Sequence, residues 1–502
     1  MNIQDNQDNS RVVAAIDLGS NSFHMIVARL DESGTLSVID KLREPVRLGG
    51  GLKDNGKLSK ESMERALACL EQFGQRIRAL PKGDVRVAGT NTLRVARNAD
   101  KFRRAAEATL GHPIQVISGR EEARLIYLGV AHGRAARSGK RLVVDIGGGS
   151  TELIIGEGKE SQKRESLYTG CVSASRKYFD DGVISQRRMT RATIDSDLVF
   201  YPVAHEMRAG NWEEAVGCSG TIKSIRNIVQ AEGWCESGIT LEALHRLQNA
   251  MIKQGNVAKL SLAGLKPDRA PVLPGGVAIL TAVFETLGIT EMRVSNQALR
   301  EGLLYDLVGR LQHKDAREAT VQSAIQRWNL DIEHAQNVTA TVRNLFNQVR
   351  GDWKLADEHR DILVWAALLH EIGLQISHGA YHRRGAYILT HADLPGFSRP
   401  EQRTLATLVL NHRQRVRMDA FDELSESVRL PALRLCVLLR LAVLFHRGRT
   451  DEQVPDVGVR VGKHFIELHF PYGWLDQHPL TKADLGKECD YLKAAHITLL
   501  FD

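Results

Sequence analysis

The chain has 502 residues, of which 43% are hydrophobic and 25% charged, and its formal net charge is +7 at pH 7. This is an ordinary globular composition, and the length predicts about three or four domains. No apolar run approaches the roughly 18–20 residues of a membrane span, and the polar N-terminus MNIQDNQDNSR does not resemble a signal peptide. A cytoplasmic protein is therefore expected, with peripheral contact at the inner membrane left open. The positive charge favours a polyanionic partner, although many mildly basic proteins have none.

The first part of the chain alternates between predicted strands and helices. Residues 11–30 contain an apolar strand, a Gly/Ser/Asn turn and a second strand. Apolar positions at helical spacing predict a helix over Lys60–Leu80, ended by Pro81. Val85–Gly89 and Ile114–Ile117 are rich in β-branched residues and predict two short strands.

The opening pattern occurs a second time, over Arg141–Gly156. Asp17-x-Gly19-x-x-Ser22 and Asp145-x-Gly147-x-x-Ser150 occupy the same place in two apolar hairpins. Two related hairpin units predict a duplicated α/β domain with a cleft between its halves. Clefts of this kind are where small-molecule sites usually form.

Beyond about Arg310 the sequence becomes helical in pattern, rich in Leu, Ala, Arg and Glu. From about Thr450, short strand-like segments at Val457–Val461 and Phe465–Phe470 and one helix predict a small α+β domain. The predicted domains are 1–128, 129–310, 311–450 and 451–502.

The strongest motif surrounds three consecutive glycines, Gly147, Gly148 and Gly149. Without side chains, their N–H groups can converge on an anion, and Ser150 adds a hydroxyl. Asp145 and Glu152 place a carboxylate on each side of the turn, as a magnesium site serving phosphate requires. A plain hairpin with a flexible turn is the alternative, weakened by the two carboxylates and the duplicate motif.

Two further segments carry candidate site residues. Glu121, in S-G-R-E-E-A-R, is a candidate general base, but Ser118-x-x-Glu121 also has the pattern of a helix capping box. Spacing does not choose between these interpretations. Arg94, in G-T-N-T-L-R, could face phosphate together with the N–H groups of a helix start, whereas an ordinary helix start is the simpler interpretation. The small-residue turn Gly217–Thr221 is a weaker signal of the same kind.

The helical part contains His334 and His370-Glu371, which are similar to the metal-binding His/His-Asp arrangement of a phosphohydrolase superfamily. Because Glu371 replaces the Asp, a helical scaffold without metal is favoured. Basic clusters are also present, at His378, His382, Arg383, Arg384, Arg413, Arg415 and Arg417. They are either solvated faces or a track for a long anion.

Several motifs in order resemble one family. D-L-G-S-N-S-F-H-M, G-T-N-T-L-R, S-G-R-E-E-A-R-L-I-Y, V-D-I-G-G-G-S-T-E-L and A-L-R-E-G are similar to the exopolyphosphatase/guanosine pentaphosphate phosphohydrolase family of the actin-like ATPase superfamily. H-E-I-G-L and D-L-P-G-F extend the resemblance over nearly the whole chain. The implied fold is α/β, with duplicated actin-like (ribonuclease H-like) domains, then an all-helical HD-like domain and a small α+β C-terminal domain.

The resemblance also implies roles for particular residues. Glu121 would be the catalytic base, and Asp145 and Glu152 would bind Mg²⁺. The phosphate-binding residues would be Ser20, Asn21, Arg94, Gly147, Gly148, Gly149 and Ser150. Family members are typically homodimers in which an anionic chain passes through a basic channel, and their helical domain has no evident metal chemistry. Stimulation by K⁺ is left open, and no nucleic-acid partner is expected.

The resulting hypothesis is an exopolyphosphatase that releases orthophosphate processively from the ends of inorganic polyphosphate. The first alternative is the hydrolysis of guanosine pentaphosphate (pppGpp) to tetraphosphate by the same residues. The triple glycine resembles the polyphosphate branch, because the pentaphosphate branch often has Ala in place of the third glycine. The second alternative is a non-catalytic actin-like nucleotide-binding regulator.

Overall fold

The structure is a computed structural model that describes residues 11–31, 35–133, 139–312, 315–449 and 454–502. The chain forms two compact units, Met1–Asp315 and Ala316–Asp502. The first unit contains the two predicted α/β domains, and the second contains the predicted helical and small C-terminal domains. The N-terminal ten residues and the predicted boundary at residue 450 lie outside the described ranges.

The first half of the first unit is a five-stranded sheet with helices. Its strands are β1 (Arg11–Leu18), β2 (Phe23–Leu30), β3 (Leu36–Glu44), β4 (Val85–Gly89) and β5 (Ile114–Val116), and its helices are α1 (Lys60–Ile77), α2 (Asn91–Val95), α3 (Ala99–Leu110) and α4 (Gly119–His132). The strand order is β3-β2-β1-β4-β5. Strands β1 and β2 are antiparallel, whereas β1, β4 and β5 run parallel. The helix and strands predicted between residues 60 and 117 are thereby confirmed.

The second half repeats this topology. Its strands are β6 (Lys140–Ile146), β7 (Thr151–Glu157), β8 (Glu160–Leu167), β9 (Glu214–Cys218), β10 (Ile239–Thr240) and β11 (Glu291–Val294), and its helices are α5 (Cys171–Tyr178), α6 (Gln186–Met207), α7 (Ser219–Ala231), α8 (Leu241–Gln254), α9 (Leu273–Leu287) and α10 (Leu299–Leu311). The order β8-β7-β6-β9-β11 corresponds strand for strand to β3-β2-β1-β4-β5, with the same pairing directions. The predicted duplication is confirmed.

Two helices exchange between the halves. Helix α4, from the first half, contacts β7 and β8 of the second, and α10, from the second half, packs on α4 and β1. One apolar cluster therefore contains residues of both sheets, including the fully buried Val13 and Val143. The predicted boundary between residues 128 and 129 falls inside α4, because chain order and packing do not coincide here.

Helix α9 is the most apolar of the described helices. Among the described residues, one window, Ala270–Leu287, is long and apolar enough to cross a membrane by length and composition, with a mean hydropathy of 1.5. In the structure 72% of this window is buried inside the protein. The helix contacts α5, α6 and α8, as expected of a core helix.

The second unit is mainly helical. Its helices are α11 (Ala316–Arg327), α12 (Ile332–Val349), α13 (Asp357–Leu369), α14 (Tyr381–His391), α15 (Arg399–Asn411), α16 (Met418–Asp422), α17 (Glu426–Phe445), α18 (Trp474–Gln477) and α19 (Pro479–Lys493), and its strands are β12 (Gly458–Val461), β13 (Phe465–His469) and β14 (Thr498–Phe501). A single apolar cluster joins the helices to the three-stranded sheet. A buried ion pair between Arg440 and Glu488, with Nη2 and Oε2 2.9 Å apart, links α17 to α19. The predicted helical and α+β parts thus share one core.

Candidate active site

The two glycine-containing turns of the first unit face each other across a cleft. Gly19–Ser22 connects β1 to β2, and Gly147–Ser150 connects β6 to β7. A Cβ atom added to Gly148 would lie 2.8 Å from Cβ of Ser20, so the turns approach too closely for a side chain. Residues of both turns line one cavity, together with Ser219–Thr221 at the start of α7.

The second turn is oriented by the helix that follows it. The carbonyl oxygen of Gly147 accepts a hydrogen bond from the N–H of Cys171, and that of Gly148 accepts one from Val172, both at 2.9 Å. Because the peptide groups are trans, the N–H groups of Gly148 and Gly149 point away from α5. This arrangement presents successive N–H groups to an anion.

The predicted residues of the first turn also lie at the cavity. Ser20 and Asn21 both line it. The Ser20 hydroxyl oxygen accepts a hydrogen bond from Thr92 Oγ1 at 2.8 Å, and the carbonyl oxygen of Asn21 accepts one from the N–H of Arg47, also at 2.8 Å. These bonds fix the turn, so the site wall is held before any substrate arrives.

The structure separates two neighbouring glutamates at the start of α4. Glu121, the predicted base, is 3% exposed and directs its carboxylate to Arg124, with Oε2 2.8 Å from Nε and Oε1 3.7 Å from Nη2 of Arg86. Both arginines also pair with Asp306. Glu121 is not among the residues that line the cavity, whereas Glu122 is. Of the two glutamates, Glu122 is the one that reaches the cavity, and the catalytic role of Glu121 stays a prediction.

Arg94 reaches the site through Glu122. Its Nη1 lies 2.6 Å from Oε2 of Glu122 and donates a second hydrogen bond of 3.1 Å to the carbonyl oxygen of Ile117. Burial lowers the pKa of Arg94, but the pairing with Glu122 outweighs it and the net pKa is raised. Arg94 thus holds the Glu122 carboxylate, and it is not itself among the residues lining the cavity.

Two aspartates, one from each hairpin, line the cavity. Oδ1 of Asp17 is buried and has no hydrogen-bond partner among the described residues. Asp145 accepts hydrogen bonds from the Ser219 hydroxyl and, at 3.4 Å, from Sγ of Cys218. Burial, with the nearby Glu122 and Asp145 charges, raises the pKa of Asp17 well above its usual range. Burial also raises the pKa of Asp145, to about 6.

Glu152 lies behind this pair. It is 1% exposed, accepts a hydrogen bond of 2.8 Å from the Ser166 hydroxyl, and is not among the cavity-lining residues. Burial, followed by the charges of Glu122 and Asp145, raises the pKa of Glu152. Of the two predicted metal ligands, only Asp145 faces the cavity. Asp17, from the duplicate motif, and Glu122 are the other carboxylates there.

The donor set at the cavity fits a hard divalent cation. Carboxylate oxygens are the ligands that Mg²⁺ and Ca²⁺ take in proteins. The unpaired, buried Oδ1 of Asp17 is an acceptor without a protein donor, and a cation would satisfy it. The raised pKa values of Asp17 and Asp145 agree with this, because burial and neighbouring carboxylates disfavour their charged forms.

A second, basic cavity of about 360 Å³ adjoins the first and shares Asp17, His24 and Ser219 with it. Its cationic side chains are Arg43, Lys223, Arg226, Lys266, Arg269 and Arg300. Burial, then the charges of Arg300 and Arg43, lower the pKa of His24 to about 3, so this imidazole is neutral. Sequence reasoning missed this cavity, because its members come from segments that are distant along the chain.

Ser219 has a left-handed backbone, with φ of 65°, an uncommon conformation for a residue other than glycine. Strain of this kind collects at functional sites. The turn Gly217–Thr221, a weak signal in the sequence, therefore belongs to the site. The Ser219 hydroxyl connects it to the site by donating a hydrogen bond to Asp145.

The basic residues predicted in the helical part divide into two groups. His382, Arg383, Arg415 and Arg417 line a cavity of about 640 Å³ in the second unit. His378, Arg384 and Arg413 are not among its lining residues. The continuous anion track stays a prediction.

A duplicated α/β fold whose two glycine turns meet across a carboxylate-lined cleft is the arrangement expected of an actin-like phosphohydrolase. The comparisons agree. The model of the Ppx/GppA phosphatase family matches residues 26–311, and that of Ppx/GppA phosphatase, domain III, matches residues 316–489. The chain belongs to the Ppx/GppA phosphatase family, as the sequence motifs predicted. It is a hydrolase of phosphoanhydride bonds, which excludes the non-catalytic regulator.

Three similar proteins have informative names. A guanosine-5'-triphosphate,3'-diphosphate pyrophosphatase from Aeromonas hydrophila is 41% identical over 483 residues, covering 96% of this chain and 97% of the relative. The solved Aquifex aeolicus PPX-GPPA enzyme is 25% identical with a TM-score of 0.50, covering 59% of this chain and 99% of that one. An exopolyphosphatase structure from Cytophaga hutchinsonii is 23% identical with a TM-score of 0.54, covering 60% and 98%, and shows the fold alone.

Proposed function

We propose that the protein hydrolyses the terminal 5'-phosphate of guanosine pentaphosphate, the activity first considered as an alternative to polyphosphate hydrolysis. The observation that carries a phosphate-releasing activity is the meeting of Glu122 with the two glycine turns in one cleft. The choice of the pentaphosphate rests on the Aeromonas hydrophila relative, which bears the name of that activity and matches nearly the whole chain.

The general base in this proposal is Glu122. Its carboxylate, held by Arg94 at 2.6 Å, takes the proton of a water molecule that attacks the terminal phosphorus. The N–H groups of Gly148 and Gly149 and the Ser150 hydroxyl hold the equatorial oxygens, whose negative charge is redistributed in the transition state. The phosphorus–oxygen bond to the rest of the substrate breaks, and orthophosphate leaves from the cleft.

Asp17 and Asp145 would hold Mg²⁺. A cation held there would supply positive charge to offset the negative charge of the phosphate oxygens. The Ser219 hydroxyl fixes the orientation of Asp145 towards the cavity. Glu152, whose carboxylate is occupied by Ser166, supports this arrangement from behind rather than binding the ion directly.

The basic cavity next to the cleft supports a substrate with several phosphates beyond the reacting one. Its cationic side chains, among them Lys223, Arg269 and Arg300, can hold the 3'-diphosphate of the nucleotide. Gly220 keeps this wall open, since a Cβ atom there would lie 2.4 Å from Nη2 of Arg269.

Inorganic polyphosphate is the second candidate substrate, and Gly149 favours it. A Cβ atom at Gly149 would lie 2.4 Å from Oδ1 of Asn91. This chain therefore depends on the third glycine, the residue by which its turn resembles the polyphosphate branch. The basic cavity and the net charge of +7 suit either polyanion.

The deciding experiment measures orthophosphate release by the purified protein with Mg²⁺, from guanosine pentaphosphate and from long-chain polyphosphate in parallel. Glu122→Gln serves as the catalytic blank. A higher kcat/KM for the nucleotide supports the proposal. A higher value for polyphosphate assigns the second candidate, and release that persists in Glu122→Gln would remove Glu122 as the general base.

A further inference from the structure

The second unit contains a buried cluster of potential metal ligands that the proposed reaction does not use. His334 lies in the first turn of α12, and His370 and Glu371 directly follow α13. One ligand atom from each of these three residues lies within 4.8 Å of the other two. His334 and Glu371 are each 9% exposed and His370 is 1% exposed, so the cluster is inside the helical core. Ligand atoms at about 2.0–2.2 Å from one ion lie at most about 4.4 Å apart, so these three atoms would draw slightly together on binding it.

The hydrogen bonding of His370 gives independent evidence that this cluster can bind a cation. Its Nδ1 lies 2.7 Å from the carbonyl oxygen of Ala367 and must donate to it, since a carbonyl offers no proton. In the neutral ring Nε2 then carries a lone pair. This Nε2 is buried and has no hydrogen-bond partner in the described parts of the chain. A buried acceptor without a donor is costly unless a cation or another donor satisfies it.

A backbone hydrogen bond from one ring nitrogen, as in His370, is the usual way in which proteins orient a ligand histidine. Glu371 stands where the superfamily arrangement has an Asp, but its carboxylate still lies close to the histidines. Its Oε1 is 4.0 Å from Nε2 of His334.

One cation competes for the carboxylate. Nη2 of Arg449 lies 2.5 Å from Oε1 of Glu371, and its Nη1 lies 2.9 Å from Oδ2 of Asp331. The Arg449 side chain is 45% exposed, so it can leave Glu371 without breaking the core. A guanidinium at this place balances the buried carboxylate when no metal is bound.

We propose that His334, His370 and Glu371 bind one divalent transition-metal ion of the zinc class, through two imidazole nitrogens and one carboxylate oxygen, and that Arg449 competes with the ion for Glu371. Imidazole ligands select such ions over Mg²⁺ and Ca²⁺, which prefer oxygen alone. The site is thus chemically distinct from the carboxylate pair of the first unit.

The test uses the full-length protein and Co²⁺ or Zn²⁺ alone. Metal content after equilibrium dialysis gives the stoichiometry, and the visible absorption of Co²⁺ reports nitrogen ligands. His370→Asn should lower the affinity for this one bound ion by at least about 100-fold. Loss of a residue that only hydrogen-bonds to a metal ligand already lowers metal affinity about 10–100-fold. The exposed His464→Asn is the matched control and should bind like the wild type. Equal binding by the His370→Asn protein and the wild type would overturn the proposal.

Arg449→Ala keeps the test decisive if His370→Asn does not fold, as circular dichroism would reveal. Removing the competing guanidinium should tighten Zn²⁺ binding about tenfold, within the usual range of a coupling between two ligands. Unchanged or weaker Zn²⁺ binding in Arg449→Ala, or a Co²⁺ spectrum without nitrogen ligation, would refute the site. Neither readout depends on phosphate release, so the proposed hydrolysis can fail independently.

Discussion

The two units each bury a cluster of ionisable side chains, but the clusters differ in their ionisable groups and in the secondary structure that holds them. In the first unit Asp17 and Asp145 lie near the ends of β1 and β6, beside the glycine turns, and burial raises the pKa of both. In the second unit His370 and His412 lie at helix ends, and burial lowers the pKa of both. In each case the interior disfavours the charged form. The difference teaches that the two folds place different groups in their interiors. The glycine turns of the first unit bring backbone N–H groups next to carboxylates, whereas the helix ends of the second unit bury imidazole nitrogens with their lone pairs.

The largest effect should come from the two adjacent glutamates of α4. Glu122→Gln should lower kcat by about 10²–10⁴-fold, because it removes the general base. Glu121→Gln should leave kcat per folded molecule within a few-fold, while the broken buried network with Arg124 costs about 3–5 kcal/mol of unfolding free energy. Phosphate release and chemical denaturation of both variants provide the measurement. The reverse pattern would return the base to Glu121.

The second prediction concerns the close approach of the two turns. Gly148→Ala places a Cβ atom 2.8 Å from Ser20 Cβ and should lower kcat/KM by about 10²-fold, because displacing a site wall by about 1 Å has that consequence. Gly83→Ala, where an added Cβ meets nothing within 4 Å, is the control and should retain wild-type kinetics. Activity of Gly148→Ala equal to that of the control would show that the turns separate freely.

The third prediction concerns the pH dependence of stability that the buried His382 of α14 confers. Burial, then the nearby charges of Arg413 and Arg383, lower the pKa of His382 to about 4. The pKa in the unfolded chain is near 6.5, so the unfolded state binds the proton more readily. The contribution of neutral His382 is therefore complete above pH 6.5 and is lost as the pH falls towards 4, by at most about 1.4 kcal/mol per pH unit.

Urea denaturation of the wild type and His382→Gln across this range is the measurement. The difference in unfolding free energy between the two proteins should shrink steadily below pH 6.5. A constant difference from pH 7 to pH 4.5 would mean that His382 titrates normally.

The smallest expected effect concerns the basic cavity beside the cleft. Lys266→Ala should raise KM for guanosine pentaphosphate or polyphosphate about three-fold and make KM less sensitive to salt, because one cation on the anion path is lost. The exposed Lys82→Ala removes the same charge elsewhere in the unit. Equal changes in KM in the two variants would show that only the net charge of the protein matters.

The sequence by itself determined the duplicated hairpins, because strand alternation and glycine turns are local properties. It also singled out Ser20, Asn21, Asp145, Gly147, Gly148 and Ser150, all of which line the cavity. The family followed from the order of the motifs, and the comparisons confirm it. The choice of polyphosphate over the pentaphosphate did not follow, since it rests on one methyl group at Gly149.

The tertiary structure alone decided which side chains face the cleft. Successive helical residues differ by about 100° in direction, so packing of α4 against both sheets sends Glu121 to Arg124 and Glu122 to the cavity. Asp17 rather than Glu152 completes the carboxylate pair because the two hairpins face each other. The basic cavity and the histidine cluster unite residues that are far apart along the chain, and only folding brings their charges and lone pairs together.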